Sequence, residues 1–298
     1  MKRIYHQILM MWAILLMISC GRPEQRENID FERWGSYWFQ GNAEISSFDL
    51  MQYRYGEARE GTAVLVYVTE DFSRNNQVKL DDPRGAGRDA QTVLKLNQTR
   101  NFITGIYPYS MMTSVFTPVR ELSQAVKITS SVQEWCGQSF IQLNLSSGNS
   151  YTGQLHSYFE QEGDESFAIS GLAEDDLWNL IRIDPDQIPI GGINVFPSMM
   201  YQRFTHQQLT SEEAFIRIQD ITPQRRQLEL TYGSGKRTLK IDFRKEFPHE
   251  IMAWEEIEIM SNGQQEVSRA ERKAVKVIDY WTRNSLEDEY LRRELQLQ

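Results

Sequence analysis

The chain has 298 residues, of which 40% are hydrophobic and 24% charged, and its formal net charge is −9 at pH 7. These are ordinary values for a globular protein, so the composition excludes a disordered chain and a protein with many membrane spans. The length allows one large domain or two of ordinary size. The acidic excess argues against attraction to nucleic acid, and we expect no nucleic-acid partner.

The first twenty residues predict an export signal with a lipid-attachment site. Lys2 and Arg3 precede an apolar run at 8–18 that is short for a membrane-spanning helix. The run ends in LMISC, which resembles the lipobox of bacterial lipoproteins, where the cysteine receives lipid and becomes the new N-terminus. The resemblance implies a signal peptide at 1–19 and lipid attachment at Cys20. A plain secretory signal that happens to end in cysteine is the alternative.

Processing at Cys20 would leave an acidic protein anchored to a membrane. Its lipid chains would hold it there without a transmembrane helix, because each buried methylene contributes about 0.8 kcal/mol. Without Lys2 and Arg3, 30 basic residues face 41 acidic ones, a net charge of −11. Gly21 favours the outer membrane by the enterobacterial sorting pattern, so we expect a protein that faces the periplasm, with exposure on the cell surface as the alternative.

The predicted elements begin after a polar tether at 20–33, and 34–170 form a first β unit. Alternating residues at 43–55 and an apolar run at 63–68 predict a hairpin. After a loop at 81–89, further strands are predicted at 125–128, 140–145 and 151–159. Their short spacing is typical of an antiparallel barrel or sandwich with few short helices.

Residues 171–298 form a second predicted β unit, joined to the first by a helix. The segment AEDDLWNLIRIDP predicts that helix: Asp175 or Asp176 can cap its start, and Pro185 forbids its continuation. A second helical or irregular stretch is expected near the end of the chain, in SLEDEYLRRELQL.

An eight-residue pattern occurs twice, as SMMTSVFT at 110–117 and SMMYQRFT at 198–205. Flanking segments match at nearly the same offset: VKI with IRI, and IQLNLSSGN with LELTYGSGK. These matches predict an internal duplication, which would give two β lobes or one pseudo-symmetric barrel. The alternative is that hairpins with glycine turns resemble one another locally.

If both copies are strands, their alternation places four apolar side chains on corresponding faces. Met112 and Phe116 in the first copy and Met200 and Phe204 in the second would then face a common apolar space. This space is either packed core or a pocket for a hydrophobic ligand, since methionine adapts to irregular apolar surfaces.

The sequence offers no catalytic or metal motif, and we expect no metal and no cofactor. Cys136 could be a nucleophile, but we expect a buried structural thiol because no histidine is near in sequence. Acids at 164–165, 174–176 and 255–258 could supply the two carboxylates of a glycan or peptidoglycan hydrolase. The sequence does not show the distance between any two of these carboxylates, so we assign no catalytic residue. We expect non-catalytic binding of a hydrophobic ligand or envelope protein, or envelope assembly; the alternatives are the hydrolase and a scaffold for cell-wall or division proteins.

Four stretches carry a resemblance to a known family: RYGEAREGTAVLVYVTEDF, GIYPYSMMTSVFTPV, SVQEWCGQSF and DYWTRNSLEDEYLRREL. Together they resemble a family of uncharacterised envelope lipoproteins of Bacteroidota, some of whose members bear the name septum formation inhibitor Maf. Maf pyrophosphatases have an S-x-R-R type phosphate loop near the N-terminus, and the chain lacks one after its signal. The resemblance therefore implies an envelope location and supplies no activity.

Overall fold

The computed structural model describes residues 29–121 and 123–297. The predicted signal peptide at 1–19, the lipid-attachment residue Cys20 and the tether up to residue 28 lie outside the described residues. Helix α1, Phe31–Trp38, begins within the last residues of the predicted tether. Asp30 caps this helix, since its carboxylate accepts hydrogen bonds from the backbone N–H groups of Glu32 and Arg33.

The described chain is mainly β, with five short α-helices and a few 3₁₀ turns. The helices after α1 are α2 (Pro83–Ala86), α3 (Leu177–Ile183), α4 (Met199–Thr205) and α5 (Tyr290–Glu294). The strands are β1 (Ala43–Arg54), β2 (Glu57–Ser73), β3 (Ala90–Thr104), β4 (Tyr107–Pro118), β5 (Lys127–Glu134), β6 (Gly137–Ser147), β7 (Ser150–Ser157), β8 (Asp164–Ser170), β9 (Leu172–Ala173), β10 (Gly191–Phe196), β11 (Glu212–Thr222), β12 (Arg225–Tyr232), β13 (Arg237–Arg244), β14 (Ile251–Ile259) and β15 (Gln265–Ile278).

All the strands of the described chain belong to one nearly closed, barrel-shaped sheet. Its order runs from β8 down to β1, then from β15 down to β9. Neighbouring strands are antiparallel, except that β9 pairs with β10 in parallel. The predicted mainly β, barrel-type fold is confirmed. The sheet ends at β8 and β9, which follow each other in the chain but are not paired. We call the gap between β8 and the edge formed by β9 and β10 the seam.

The two predicted β units meet within this sheet. Residues 34–170 contain β1–β8 and residues 171–298 contain β9–β15. They join where β1 pairs with β15, with Ala43 opposite Ile278. The strands therefore form one barrel-shaped sheet rather than two separate β lobes, while the division of the chain at 170/171 stays a prediction.

The two octapeptides adopt different structures, which corrects the expectation of two strands. Residues 110–117 lie in β4, whereas Ser198 caps helix α4 by accepting a hydrogen bond from the backbone N–H of Met200 at 3.2 Å. The flanking matches do lie on strands, β5 with β11 and β6 with β12. Internal duplication stays a prediction.

Helix α3 lies inside the barrel, and all seven of its residues are buried. Trp178 packs edge-to-face against Trp254 of β14, with ring centroids 5.2 Å apart. The Asn179 side chain donates to the backbone carbonyls of Leu94 and Val115 at 2.9 and 3.3 Å. The predicted helix is thus present, and it fills the space that the barrel encloses.

The start of α3 differs from the expected cap. Asp176 makes no side-chain hydrogen bond to the helix start. Its carboxylate instead accepts hydrogen bonds from the Thr117 hydroxyl at 2.5 Å and the Ala125 backbone N–H at 2.8 Å. Asp176 therefore ties the interior helix to the wall.

Helices α1 and α4 lie at opposite ends of the barrel. The Trp38 carbonyl in α1 accepts a hydrogen bond from Thr69 of β2. Thr69 lies near the start of β1, which pairs with β2. Trp34 and Trp38 of α1 are buried. At the end of β1, the guanidinium of Arg54 donates to the Phe204 carbonyl in α4 at 2.7 Å. Helix α1 therefore packs through its tryptophans against the end of the barrel where β1 begins. In residues 29–121 and 123–297, no helix has the length and apolarity needed to cross a bilayer.

Candidate functional site

The four predicted pocket residues do not meet. In β4 the buried inner face carries Met111, Thr113 and Val115, so Met112 and Phe116 point outward. Phe116 stacks on Phe72 with ring centroids 4.9 Å apart.

The second pair lies in α4 rather than on a strand. Met200 is buried, and Phe204 is partly buried against Phe102 and Tyr109. The expected common apolar space is therefore wrong, because one copy turns its Met and Phe outward and the other is helical.

Cys136 is exposed in the turn between β5 and β6, contrary to the expectation of a buried thiol. A hydrogen bond to Glu134, together with its negative charge, raises the pKa of the thiol. A raised pKa lowers the fraction of reactive thiolate, so the environment of Cys136 does not activate it as a nucleophile.

Two of the acids considered for a hydrolase, Glu174 and Glu256, are partners of buried arginines. Glu174 bonds Arg237 at 2.6 Å, and Glu256 accepts two hydrogen bonds from Arg100 at 2.6 and 2.8 Å. Both carboxylates are buried. Glu174 joins the interior segment to β13 of the wall, and Glu256 joins β14 to β3. This arrangement argues against the two open carboxylates of a glycan hydrolase.

One end of the barrel carries several exposed apolar side chains. We define the α4 rim as helix α4 with the turns at 55–56, 105–106, 135–136, 158–163 and 260–264. These turns lie at the same end because successive hairpins of an up-and-down sheet alternate between its two ends. Their exposed side chains, with the exposed fraction of each, are Tyr55 (59%), Ile106 (83%), Trp135 (69%), Tyr158 (64%) and Met260 (40%).

Contacts with Arg54 and Tyr109 hold the first of these turns against α4. The Arg54 guanidinium lies 4.3 Å from the Tyr55 ring centroid and 4.9 Å from that of Phe204. The Tyr55 and Tyr109 hydroxyls share a hydrogen bond of 2.9 Å. The exposed ring of Tyr55 is therefore fixed in place on a braced turn.

A second set of polar contacts ties the end of α4 to two other turns. Arg203 lies 3.3 Å from Glu134 and 3.0 Å from Nε2 of His206, whose Nδ1 lies 2.5 Å from Glu162. Because arginine can only donate, Nε2 of His206 must accept, which leaves its proton on Nδ1 to be donated to Glu162. These contacts join the end of α4 to the β5–β6 and β7–β8 turns.

A pocket of about 220 Å³ opens beside this network, and we call it the rim pocket. It lies between the inner face of β6–β8 and the residues that follow α4. Its apolar lining includes Ile141, Leu155, Phe167 and Leu209, and its polar lining includes Glu162, Glu165, Gln202 and His206. Cavities for drug-sized ligands measure about 300–1,000 Å³. The rim pocket therefore suits a single apolar side chain rather than a whole ligand of that size.

A cavity of about 1020 Å³ is a trough on the outer face of β1, β2 and β12–β15. Its charged side chains pair among themselves, as Lys273 does with Asp49 at 2.9 Å and Lys240 with Glu255 at 3.8 Å. Such a mixture of signs is what a solvated outer sheet face presents. The α4 rim is the stronger candidate because its exposed groups are large and apolar.

Sequence reasoning missed the rim residues. Tyr55, Ile106 and Trp135 each lie within one or two residues of the glycine of a predicted or observed turn. The available signal was a bulky apolar residue at a turn position, where polar residues are usual. The sequence alone does not show that these turns lie at the same end of the barrel, because that depends on the strand order.

Comparison with known proteins gives a similar solved structure and no family. No family model matches the chain, and no curated protein matches it. A crystal structure of a β-barrel-like protein of the domain of unknown function DUF1849 from Brucella abortus is similar, with a TM-score of 0.44 and 7% sequence identity. The similarity covers 80% of this chain and 98% of that chain.

Proposed function

We propose that this protein is a non-catalytic binding protein of the bacterial envelope, held by lipid at Cys20 on the periplasmic face of the outer membrane. Its partner is another envelope protein, bound through the α4 rim. The observation that supports this function is the row of exposed apolar side chains at successive turns of one rim.

Large exposed apolar residues scattered singly are normal on proteins, but a cluster of them marks an interaction surface. Tyrosine and tryptophan bring a large contact area with few rotatable bonds. Tyr55 is also held by Arg54 and Tyr109, so less conformational freedom is lost when a partner binds.

The filled interior argues against a hydrophobic ligand inside the barrel. Helix α3 occupies that space with seven buried residues. A ligand as large as a fatty acid would have to displace Trp178 or Leu180, both packed in the main core.

The test is photo-crosslinking in cells that produce the full-length protein. A benzophenone amino acid replaces either Ile106 on the rim or Leu286 in the C-terminal segment, a control of nearly equal exposure at 83% and 85%. We expect a discrete protein adduct from position 106, weakened by Trp135→Ser, and none from position 286. Equal adducts at both positions, or adducts with lipid alone, would contradict the proposed function.

A further inference from the structure

The seam leaves one long strand edge without a partner strand. Within the described residues, β8 is hydrogen-bonded to a strand on one side only, that of β7. On the far side of the seam, β10 is paired with β9 only at Val195 and Phe196. An open edge of this kind presents N–H and C=O groups that can pair with an added strand.

The geometry of Ser170 shows which groups of β8 face the seam. Its carbonyl accepts a hydrogen bond from the hydroxyl of Ser211, which follows α4. Residues of the same parity in an antiparallel strand direct their backbone groups the same way. Ser166 and Ala168 therefore present their N–H and C=O groups to the seam rather than to β7.

Apolar recesses lie at both ends of this edge. The rim pocket lies at one end, floored by Leu155 and Phe167. A cavity of about 540 Å³ lies at the other, with Leu172, Leu180 and Ile193 in its lining. The seven residues of β8 span about 23 Å at 3.3 Å per residue. An added strand of similar length can thus reach both recesses with its alternate side chains.

The charge around the seam is uneven. Glu162 and Glu165 line the rim pocket, and Asp164 begins β8 beside them. The lining of this pocket includes no lysine or arginine, and that of the opposite cavity has no charged side chain. The rim end of the seam therefore complements a cationic side chain, and the remainder complements neutral ones.

We propose that the seam binds an extended peptide segment of a partner protein by strand addition to β8. The segment has apolar residues at alternate positions and a lysine or arginine that lies next to Glu165 in the rim pocket. This proposal rests on the proposed function, binding of another protein, and names the form that the partner takes.

The experiment selects binders from a phage library of random dodecapeptides on the purified full-length protein in detergent. Affinities of the selected peptides, labelled with a fluorophore, are measured by anisotropy for the native protein, Ala168→Pro and Ala168→Val. Proline removes the N–H that faces the seam without removing a bond to β7, whereas valine keeps it.

We expect selected peptides with alternating apolar residues and a basic residue. Ala168→Pro should weaken their binding by about tenfold or more, and Ala168→Val should leave it within about twofold. If Ala168→Pro fails to fold, Ser166→Pro replaces it. Independently of any variant, the bound peptide should slow amide hydrogen exchange at 166 and 168 in the native protein.

Three results would overturn the seam proposal: no selected peptide, equal binding to the proline variants, or slowed exchange only at the turns of the α4 rim. The last would leave the proposed function standing, with the rim as the peptide site. Crosslinking at position 106 tests the rim separately. If neither a crosslinked protein adduct at position 106 nor peptide binding at the seam is found, the proposed function is overturned as well.

Discussion

Arg182 lies inside the barrel and binds both carboxylate oxygens of Glu44 at 2.6 Å. Its Nε also donates to the Pro248 carbonyl at 2.9 Å, and its guanidinium lies over the rings of Trp38 and Tyr67. Moving two charges out of water costs several kcal/mol each, which only such complete pairing offsets. The pair joins α3 to β1 and fixes the interior helix relative to the wall.

Arg182→Met should lower the free energy of unfolding by about 3–5 kcal/mol, because it leaves Glu44 charged and buried without its partner. Arg217→Met is the matched control, since Arg217 pairs with Glu229 at the surface and should cost less than about 1 kcal/mol. Urea denaturation of both variants measures the difference. Equal losses would contradict the structural role given to the Arg182–Glu44 pair.

Asp175 predicts a pH dependence of stability. Burial raises its pKa from 3.8 to about 6, so the folded protein holds this proton more tightly than the unfolded chain does. The contribution of Asp175 to stability is therefore fully present below pH 3.8 and is lost as the pH rises through about 6.

Asp175→Asn should remove this loss while keeping an acceptor for the Met199 backbone N–H, which Asp175 binds at 2.9 Å. We expect the variant to gain up to about 3 kcal/mol relative to the native protein between pH 4 and pH 7. Urea denaturation at several pH values measures the difference in the free energy of unfolding between the variant and the native protein. Titratable groups that both proteins share contribute equally and cancel in this difference. A difference that stays constant with pH would contradict the assignment.

Strand β4 and helix α4 show at the element scale how far a local pattern predicts structure. Both contain the pattern S-M-M-x-x-x-F-T, but β4 is flanked by β3 and β5 over most of its length, while α4 lies across the barrel end. A period of two and a period of nearly four are both compatible with Met and Phe four residues apart. The pattern therefore predicted apolar contacts for Met200 and Phe204 but not the element that makes them.

The two serines of the repeat offer a matched test. Ser198→Ala should lower the free energy of unfolding by about 1 kcal/mol, because it removes the cap of α4. Ser110→Ala at the equivalent position of β4 should change it by less than about 0.5 kcal/mol, since Ser110 is exposed on the strand. Urea denaturation distinguishes them, and equal effects would be inconsistent with the different structures of the two copies.

At the scale of the whole molecule, the sequence predicted the type of fold but not its closure. The hairpin of β1 and β2, the strands up to β7 and helix α3 follow from alternation, turns and caps close together in sequence. The Arg182–Glu44 pair and the α4 rim join residues far apart in the chain, which no local pattern encodes. Helix α1 was missed because its aromatic residues suit a strand equally well, although Asp30 was an available cap signal.

If the protein is exported as proposed, the pairing of β1 with β15 affects how the chain folds after export. These strands lie more than 200 residues apart in sequence, yet they hold the two halves of the sheet together. A chain that crosses a membrane from its N-terminus presents β1 long before β15 arrives, so the first eight strands must wait with an unsatisfied edge. During that interval an exported chain is open to pairing with other chains, and we expect its yield to fall when a periplasmic holding chaperone is removed.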